Sequence, residues 1–153
     1  MQRKINWSNK GFSLVELIVV IAIMVVLVGL MAPTLIKNVE KSRESVDIQT
    51  LDSVRQSVVT ALSNEKVYSE FLSESITISA PHITYMDDIK SATTGLNGEL
   101  SKELDDDGIL TAKFNSNACK NAKIKITISA DSKVKVEAEN AGITKSNINM
   151  VVE

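Results

Sequence analysis

The sequence has few of the residues on which catalytic and disulfide-linked proteins depend. It contains one cysteine, one histidine and two prolines, and aromatic residues make up only 4% of its 153 residues. A single cysteine cannot form an intrachain disulfide, so a disulfide framework is excluded. One histidine and one cysteine also leave few groups for a catalytic dyad or a soft-metal site. We therefore expect neither an enzymatic activity nor a cofactor.

A large excess of positive charge is missing as well. The chain has 17 Lys and Arg residues against 19 Asp and Glu residues, a formal net charge of −2, which argues against a dedicated nucleic-acid-binding protein. The charges are unevenly placed. Residues 1–11 contain three basic residues and no acidic one, whereas the rest of the chain has 14 basic and 19 acidic residues.

A long apolar run follows this basic start. The segment from Phe12 to Ala32 has 18 apolar residues in 21. As a helix it would be about 31 Å long, close to the thickness of a bilayer's hydrocarbon core. It is too long for the apolar region of an ordinary secretory signal peptide, and Leu30 stands where the cleavage site needs a small residue. We predict a membrane-spanning helix, whose orientation stays open because three Lys or Arg residues flank each end.

Glu16 is the one charged residue inside the apolar run. A charge at the centre of a membrane helix costs about 2.5–3.5 kcal/mol, and less near an end. The spacing from Ser13 to Glu16 fits a capping box, in which Ser13 caps the helix and Glu16 bonds back to it. Spacing alone leaves two interpretations open, a helix cap and a functional charge.

The start of the run resembles the prepilin signature of type IV pilins and type II secretion pseudopilins. The resemblance rests on residues 10–17 (KGFSLVEL), on the short basic leader and on Pro33, the twenty-second residue after the Gly11–Phe12 junction. It covers residues 10–33, with weaker support from the helix that follows. The pattern is specific because Gly, Phe and Glu must coincide with a run of membrane length.

The resemblance implies how the precursor is processed. A membrane-embedded prepilin peptidase would cleave between Gly11 and Phe12 and methylate the new amino group of Phe12. Gly11 suits such a site because it lets the backbone approach the protease closely. The leader, residues 1–11, would lie in the cytoplasm and the C-terminal domain outside, which resolves the orientation. The protein would be a single-pass cytoplasmic-membrane protein before assembly and part of an extracellular pilus afterwards.

The resemblance also implies how subunits assemble. The chain would form a helical homopolymer, with help from an inner-membrane assembly platform and an ATPase, and Leu14, Leu17 and Pro33 would belong to the assembly helix. Cleavage creates an ammonium group on Phe12. Glu16 of a subunit already in the filament could pair with it, and a buried charge pair of this kind selects one register.

We predict that the helix continues past the apolar run. Pro33 removes a backbone donor and disfavours helical geometry before it, so we expect a kink or local unwinding there. Apolar residues then recur at helical spacing, which predicts a long interrupted helix from about 13 to about 63. Residues 12–33 would form the transmembrane and filament-core part, and residues 34–63 an amphipathic extension against the outer core. The mixed charges of residues 37–47 indicate a solvated face.

Residues 64–153 are predicted to form a small extracytoplasmic α+β domain. Segments 123–129 and 133–139 alternate strictly between apolar and polar residues, which predicts an antiparallel hairpin. Its inward residues would be Ile124, Ile126, Ile128, Val134, Val136 and Ala138. Weaker strand candidates are 76–79, 110–114 and 147–152, and short helices are expected at 86–92 and 97–104. A long N-terminal helix packed by its second half on a small antiparallel sheet is the pilin architecture.

Other candidate sites carry less weight. Asp105, Asp106 and Asp107 form the densest acidic cluster, but consecutive aspartates do not match the spacing of an EF-hand, and we expect a helix-ending turn with Gly108 rather than a calcium site. His82 is expected to be structural or on the surface, and Cys119 partly buried.

The lysines of the C-terminal region form the last candidate site, a possible contact for nucleic acid. Lysines at 120, 123, 125, 133 and 135 could share one face of the hairpin, but Glu137 and Glu139 interrupt it and Phe114 is the only nearby aromatic residue. A solvated strand face is favoured over a nucleic-acid contact.

The leading hypothesis is a type IV pilin subunit. A pseudopilin of a secretion or competence system is the alternative within the family, and a monomeric single-pass membrane-anchored binding module is the alternative outside it.

Overall fold

The computed structural model describes residues 12–77, 81–139 and 151–152. The elements in these residues are α1 (Leu14–Ala61), α2 (Glu65–Thr77), β1 (His82–Tyr85), α3 (Met86–Ser91), α4 (Gly95–Asp106), a 3-10 turn (Ile109–Thr111), β2 (Lys123–Ile128), β3 (Val134–Glu139) and β4 (Val151–Val152). The predicted α+β class with a long N-terminal helix is confirmed. The chain divides into two compact units, one up to Val39 and one from Glu40 onward.

The first unit contains the apolar part of α1. Pro33 lies inside the helix, which runs without interruption from Leu14 to Ala61. The expected local unwinding at Pro33 is therefore wrong. Proline removes only its own hydrogen bond, here the one to the carbonyl of Gly29 four residues earlier. The remaining hydrogen bonds of a 48-residue helix hold the backbone helical on both sides.

The second unit is built on one face of the later part of α1. Leu51, Val54 and Val58 are fully buried, and Ala61 is almost so. Their spacing of three and four residues puts them on a single stripe. They belong to one buried cluster with side chains of α2, α3, α4 and the sheet. The prediction that this stripe forms a wall of the core is confirmed.

A four-stranded antiparallel sheet, in the order β1-β2-β3-β4, forms the other side of this core. The β2–β3 register pairs Ile126 with Val136 and Ile124 with Ala138. The predicted hairpin is confirmed, and its inward residues are buried except for Ala138, which is half-buried. Its turn is closed by a hydrogen bond of 2.9 Å from the Ser129 amide to the Lys133 carbonyl.

Two short helices cover the sheet region, as predicted for 86–92 and 97–104. In α4, Leu96, Leu100 and Leu104 are fully buried at spacings of four residues. The Thr94 side chain does not cap this helix. Instead, the Glu74 carboxylate accepts the Leu96 amide at 3.2 Å. The helix ends at Asp106 with Asp107 as its C-cap, and the chain then turns at Gly108, whose φ of +69° favours glycine.

Two of the weaker strand predictions need correction. Residues 110–114 form the end of the 3-10 turn and an irregular segment. The chain leaves α4 through Gly108, which is in the left-handed conformation, and the apolar side chains of this segment then pack against the core. Residues 76–77 belong to α2, whose Val67 and Phe71 are buried one turn apart. Residues 78–79 and 147–150 lie outside the described part of the chain. The described residues of the third candidate, 147–152, form strand β4 (Val151–Val152), as predicted. Helix α2 and strand β1 were not predicted.

Candidate functional site

The start of α1 is organised by a hydrogen bond between Ser13 and Glu16. The Ser13 amide donates to Glu16 Oε2 at 2.9 Å, and the Ser13 carbonyl accepts the Leu17 amide at 3.2 Å. This is the glutamate half of a capping box, with Ser13 preceding the first helical residue. Both residues are exposed, so the second carboxylate oxygen of Glu16 is open to solvent or to another molecule. The cap and a functional charge are therefore compatible.

The surface around this cap is apolar. Phe12, Leu14 and Leu17 are 87%, 72% and 59% exposed, and the large apolar side chains after them are exposed as far as Met31. Helix α1 is long enough and apolar enough to cross a bilayer. A helix that is apolar on all sides is stable only where lipid or other apolar helices surround it. Pro33 is also exposed on this helix.

The junction that completes the predicted processing site is only partly described. Phe12 precedes the helix in non-helical conformation. Gly11 and the leader, residues 1–11, lie outside the described residues.

A second group of hydrogen-bonded carboxylates occurs where a solvated face was expected. Asp47 is completely buried. Its Oδ1 accepts the Asn115 amide at 2.7 Å, and its Oδ2 accepts the Ser116 amide at 3.0 Å and the Ser116 hydroxyl. Glu40 accepts the side-chain amide of Asn117 at 3.0 Å. The prediction of a solvated face for residues 37–47 is therefore wrong at Asp47, while Glu40 is half-buried.

The sequence did contain a pattern that could have revealed these carboxylates. Glu40, Glu44 and Asp47 are spaced four and three residues apart, and Leu51 follows four residues later. The acidic residues thus extend the buried stripe of α1 toward its N-terminus. The loop 115–117, which is bound by Glu40 and Asp47, lies more than sixty residues away in sequence, so it could not be predicted as their partner.

The outward face of the hairpin carries a network of ion pairs. Lys125 contacts Glu137 at 3.1 Å and Glu139 at 3.3 Å, and Lys135 contacts Glu137 at 3.3 Å. A hydrogen bond from the Tyr85 hydroxyl and contact with Lys125 lower the pKa of Glu139. Burial opposes ionisation of Glu137, but hydrogen bonds from Lys125 and Lys135 outweigh it and lower the pKa of Glu137. This face is the solvated, charge-paired surface that the alternation predicted.

The predicted acidic cluster does not form a metal site within the described residues. Asp105 and Asp106 end α4 and Asp107 caps it, as expected for a helix-ending turn. Within the described residues, no three His, Cys, Asp or Glu side chains converge as metal ligands.

His82 and Cys119 have structural surroundings. His82 Nδ1 lies 3.2 Å from Glu74 Oε2, which links β1 to the end of α2. Cys119 is buried, and this burial raises the pKa of its thiol. The interpretations of His82 as structural and of Cys119 as partly buried agree with these positions.

Comparison with known proteins gives one match, at the N-terminus. A family model described as the prokaryotic N-terminal methylation motif matches residues 8–32. The match contains the Gly11–Phe12 junction, the Ser13–Glu16 cap and the whole apolar run from Phe12 to Ala32. No curated protein and no solved structure matches the chain. The N-terminal signature found in the sequence is thus confirmed.

Proposed function

We propose, from the premise that residues 8–32 carry the signature of a type IV pilin-like or pseudopilin precursor, that the mature protein is a structural pilin subunit. The observation that supports this most directly is the coincidence of the methylation motif with a helix whose apolar side chains are exposed on all sides. Such a surface needs lipid before assembly and like helices afterwards. The proposal assigns no catalytic reaction and no cofactor to the chain.

Processing is the first step of the proposed function. Prepilin peptidase cleaves between Gly11 and Phe12 on the cytoplasmic side, and the Phe12 amine is methylated. The subunit then waits in the cytoplasmic membrane with its C-terminal domain outside. Assembly transfers it to a helical homopolymer through an inner-membrane platform driven by an ATPase, without participation of nucleic acid.

Glu16 has two successive partners in this proposal. In the free subunit its carboxylate accepts the Ser13 amide at 2.9 Å. In the filament, packed apolar helices lower the local dielectric, and an unpaired carboxylate becomes costly. The ammonium of Phe12 from an incoming subunit supplies the opposite charge. Only one axial register brings the two groups together, so the pair selects that register.

Two substitutions separate the cap from the charge. Glu16→Ala removes both, whereas Glu16→Gln keeps an acceptor for the Ser13 amide, because glutamine also completes a capping box. We expect both variants to insert into the membrane and lose the leader normally, and both to reduce filament yield by about tenfold or more, since a lost buried ion pair costs several kcal/mol.

The readouts are electron microscopy and immunoblotting of sheared filaments, with mass spectrometry of the mature N-terminus. Normal filament yield from Glu16→Gln would show that the charge is not required, and a low yield from Glu16→Ala beside it would show that the cap is. A native protein that keeps residues 1–11 and stays monomeric in the membrane would contradict the filament proposal and support an anchored binding module.

A further inference from the structure

A cleft in the second unit has a concentration of positive charge that the filament proposal does not use. The basic cleft is lined by Lys90 at the end of α3, Lys113 after the 3-10 turn, Lys120 in the turn before β2, and Lys123 at the start of β2. Its volume is about 460 Å³, within the usual range for ligand-binding clefts.

The charge of the cleft is opposite to that of the chain. Four lysines and one aspartate, Asp87, line it, whereas the whole protein has a formal net charge of −2. All four lysines are exposed. Like charges held near one another repel, so a group of this kind gains stability from an anion between its members.

These lysines also differ from most other basic residues of the unit. None of the four forms an ion pair with any residue that the structure describes; Lys123 Nζ lies 5.8 Å from the centre of the Tyr85 ring. By contrast, basic side chains elsewhere are held by carboxylates: Arg43, Arg55, Lys102, Lys125, Lys133 and Lys135. The charge of the cleft is therefore available to a ligand.

The floor of the cleft indicates what kind of anion fits. Leu110 and Phe114, both half-buried, provide apolar surface between the lysines, while Met86 and Ile124 lie beneath them in the core. A small inorganic anion would leave that surface unused. The lining has no arginine to form a bidentate contact with a phosphate, and its one aromatic ring, Phe114, is half-buried, whereas single-stranded nucleic acid needs aromatic platforms for base stacking.

We propose that the basic cleft binds a linear anionic polysaccharide. Its acidic groups lie near Lys90, Lys113, Lys120 and Lys123, and the apolar faces of its sugar rings lie on Leu110 and Phe114. Because the charges are exposed and spaced around the rim, binding is electrostatic and weakens as salt increases. The site needs only the folded second unit, so it is independent of filament formation.

The test uses the full chain in a nonionic detergent, with hexagalacturonate as probe and isothermal calorimetry as readout. The double variant Lys113→Gln/Lys120→Gln removes two charges of the cleft. Its matched control, Lys41→Gln/Lys66→Gln, removes two exposed lysines that line no part of it. We expect the first to weaken binding about fivefold and the second less than about twofold. Thr111→Asp, which adds a carboxylate to the lining, is expected to weaken binding as well.

Two further probes identify the ligand class. Uncharged maltohexaose is expected not to bind, and hexathymidylate to bind more weakly than hexagalacturonate. Equal losses in the two double variants would overturn the proposal, because the interaction would then reflect net charge alone. Tighter binding of hexathymidylate, or no binding of hexagalacturonate to the native protein, would overturn it too. Circular dichroism verifies that each variant is folded.

Discussion

Two acidic residues of the same helix illustrate how environment decides the role of a side chain. Glu16 is exposed, and its carboxylate accepts one amide three residues away. Asp47 is completely buried, and its carboxylate accepts two backbone amides and a hydroxyl from a distant loop. A buried carboxylate is stable only when hydrogen bonds replace its lost hydration. We therefore regard Asp47 as a structural anchor of the loop 115–117.

Replacing Asp47 tests this anchoring role. Asp47→Ala leaves the amides of Asn115 and Ser116 without their acceptor, and hydrogen bonds to charged groups contribute about 1.5–3 kcal/mol. We expect the free energy of unfolding to fall by about 3 kcal/mol, measured by urea denaturation in nonionic detergent with circular dichroism.

The matched control is Asp52→Ala in the same helix. Asp52 forms one partly exposed ion pair, with Arg55 at 3.3 Å, and its loss is expected to cost less than about 1 kcal/mol. Equal destabilisation by the two substitutions would argue against the anchor.

At the level of secondary structure elements, the two faces of the β2–β3 hairpin are stabilised in different ways. One face contributes Ile126, Ile128 and Val136 to the core, all fully buried. The other face holds Lys125 between Glu137 and Glu139. The apolar face does not respond to pH, whereas the charged face does, because its carboxylates must be ionised to pair.

The lowered pKa values determine the direction in which stability changes with pH. Glu137 and Glu139 titrate in the folded protein below their ordinary value of 4.5. Their contribution to stability is therefore present above about pH 4.5 and is lost as the pH falls through the folded-state values. We expect Glu137→Gln to lower the free energy of unfolding at about pH 6.5 and to lower it less at about pH 3.

This prediction is checked by urea unfolding of both proteins at the two pH values. The comparison with the native protein cancels the other carboxylates that titrate in the same range. Glu70→Gln is the control, because Glu70 forms no ion pair within the described residues, and its effect is expected to be small at both pH values. A loss from Glu137→Gln that does not change with pH would contradict the role of the charge.

The whole molecule consists of two units with opposite solvent requirements. From Leu14 to Val39 the first unit is a helix with exposed apolar side chains, whereas the buried side chains of the described residues lie from Asp47 onward. A membrane or filament environment is needed by the first unit. The second has its own hydrophobic core and needs neither.

We therefore predict that a chain starting at Glu40 folds in water without detergent. Its free energy of unfolding should agree within about 1 kcal/mol with that of the same unit in the full chain, because no buried core residue is removed. Circular dichroism and urea denaturation measure this. An unfolded or aggregated fragment would show that the first unit contributes to the stability of the second.

Features that depend on neighbours in sequence could be predicted without the structure. Four such features are the apolar run, the Ser13–Glu16 spacing, the stripe from Leu51 to Ala61 and the alternation of the hairpin, and the last two are periodic. Each such period reports directly on one helix or strand and on which of its faces is apolar.

Features that depend on residues distant in sequence could not be predicted without the structure. Strand β1 exists because His82 pairs with Ile128, and Asp47 is buried because Ser116 lies against it, 69 residues further along the chain. The basic cleft likewise brings together lysines from three separate segments. The sequence determines which side chains are available for such contacts, but their partners are established only when the chain folds, because a local pattern contains no information about which remote segment will pack against it.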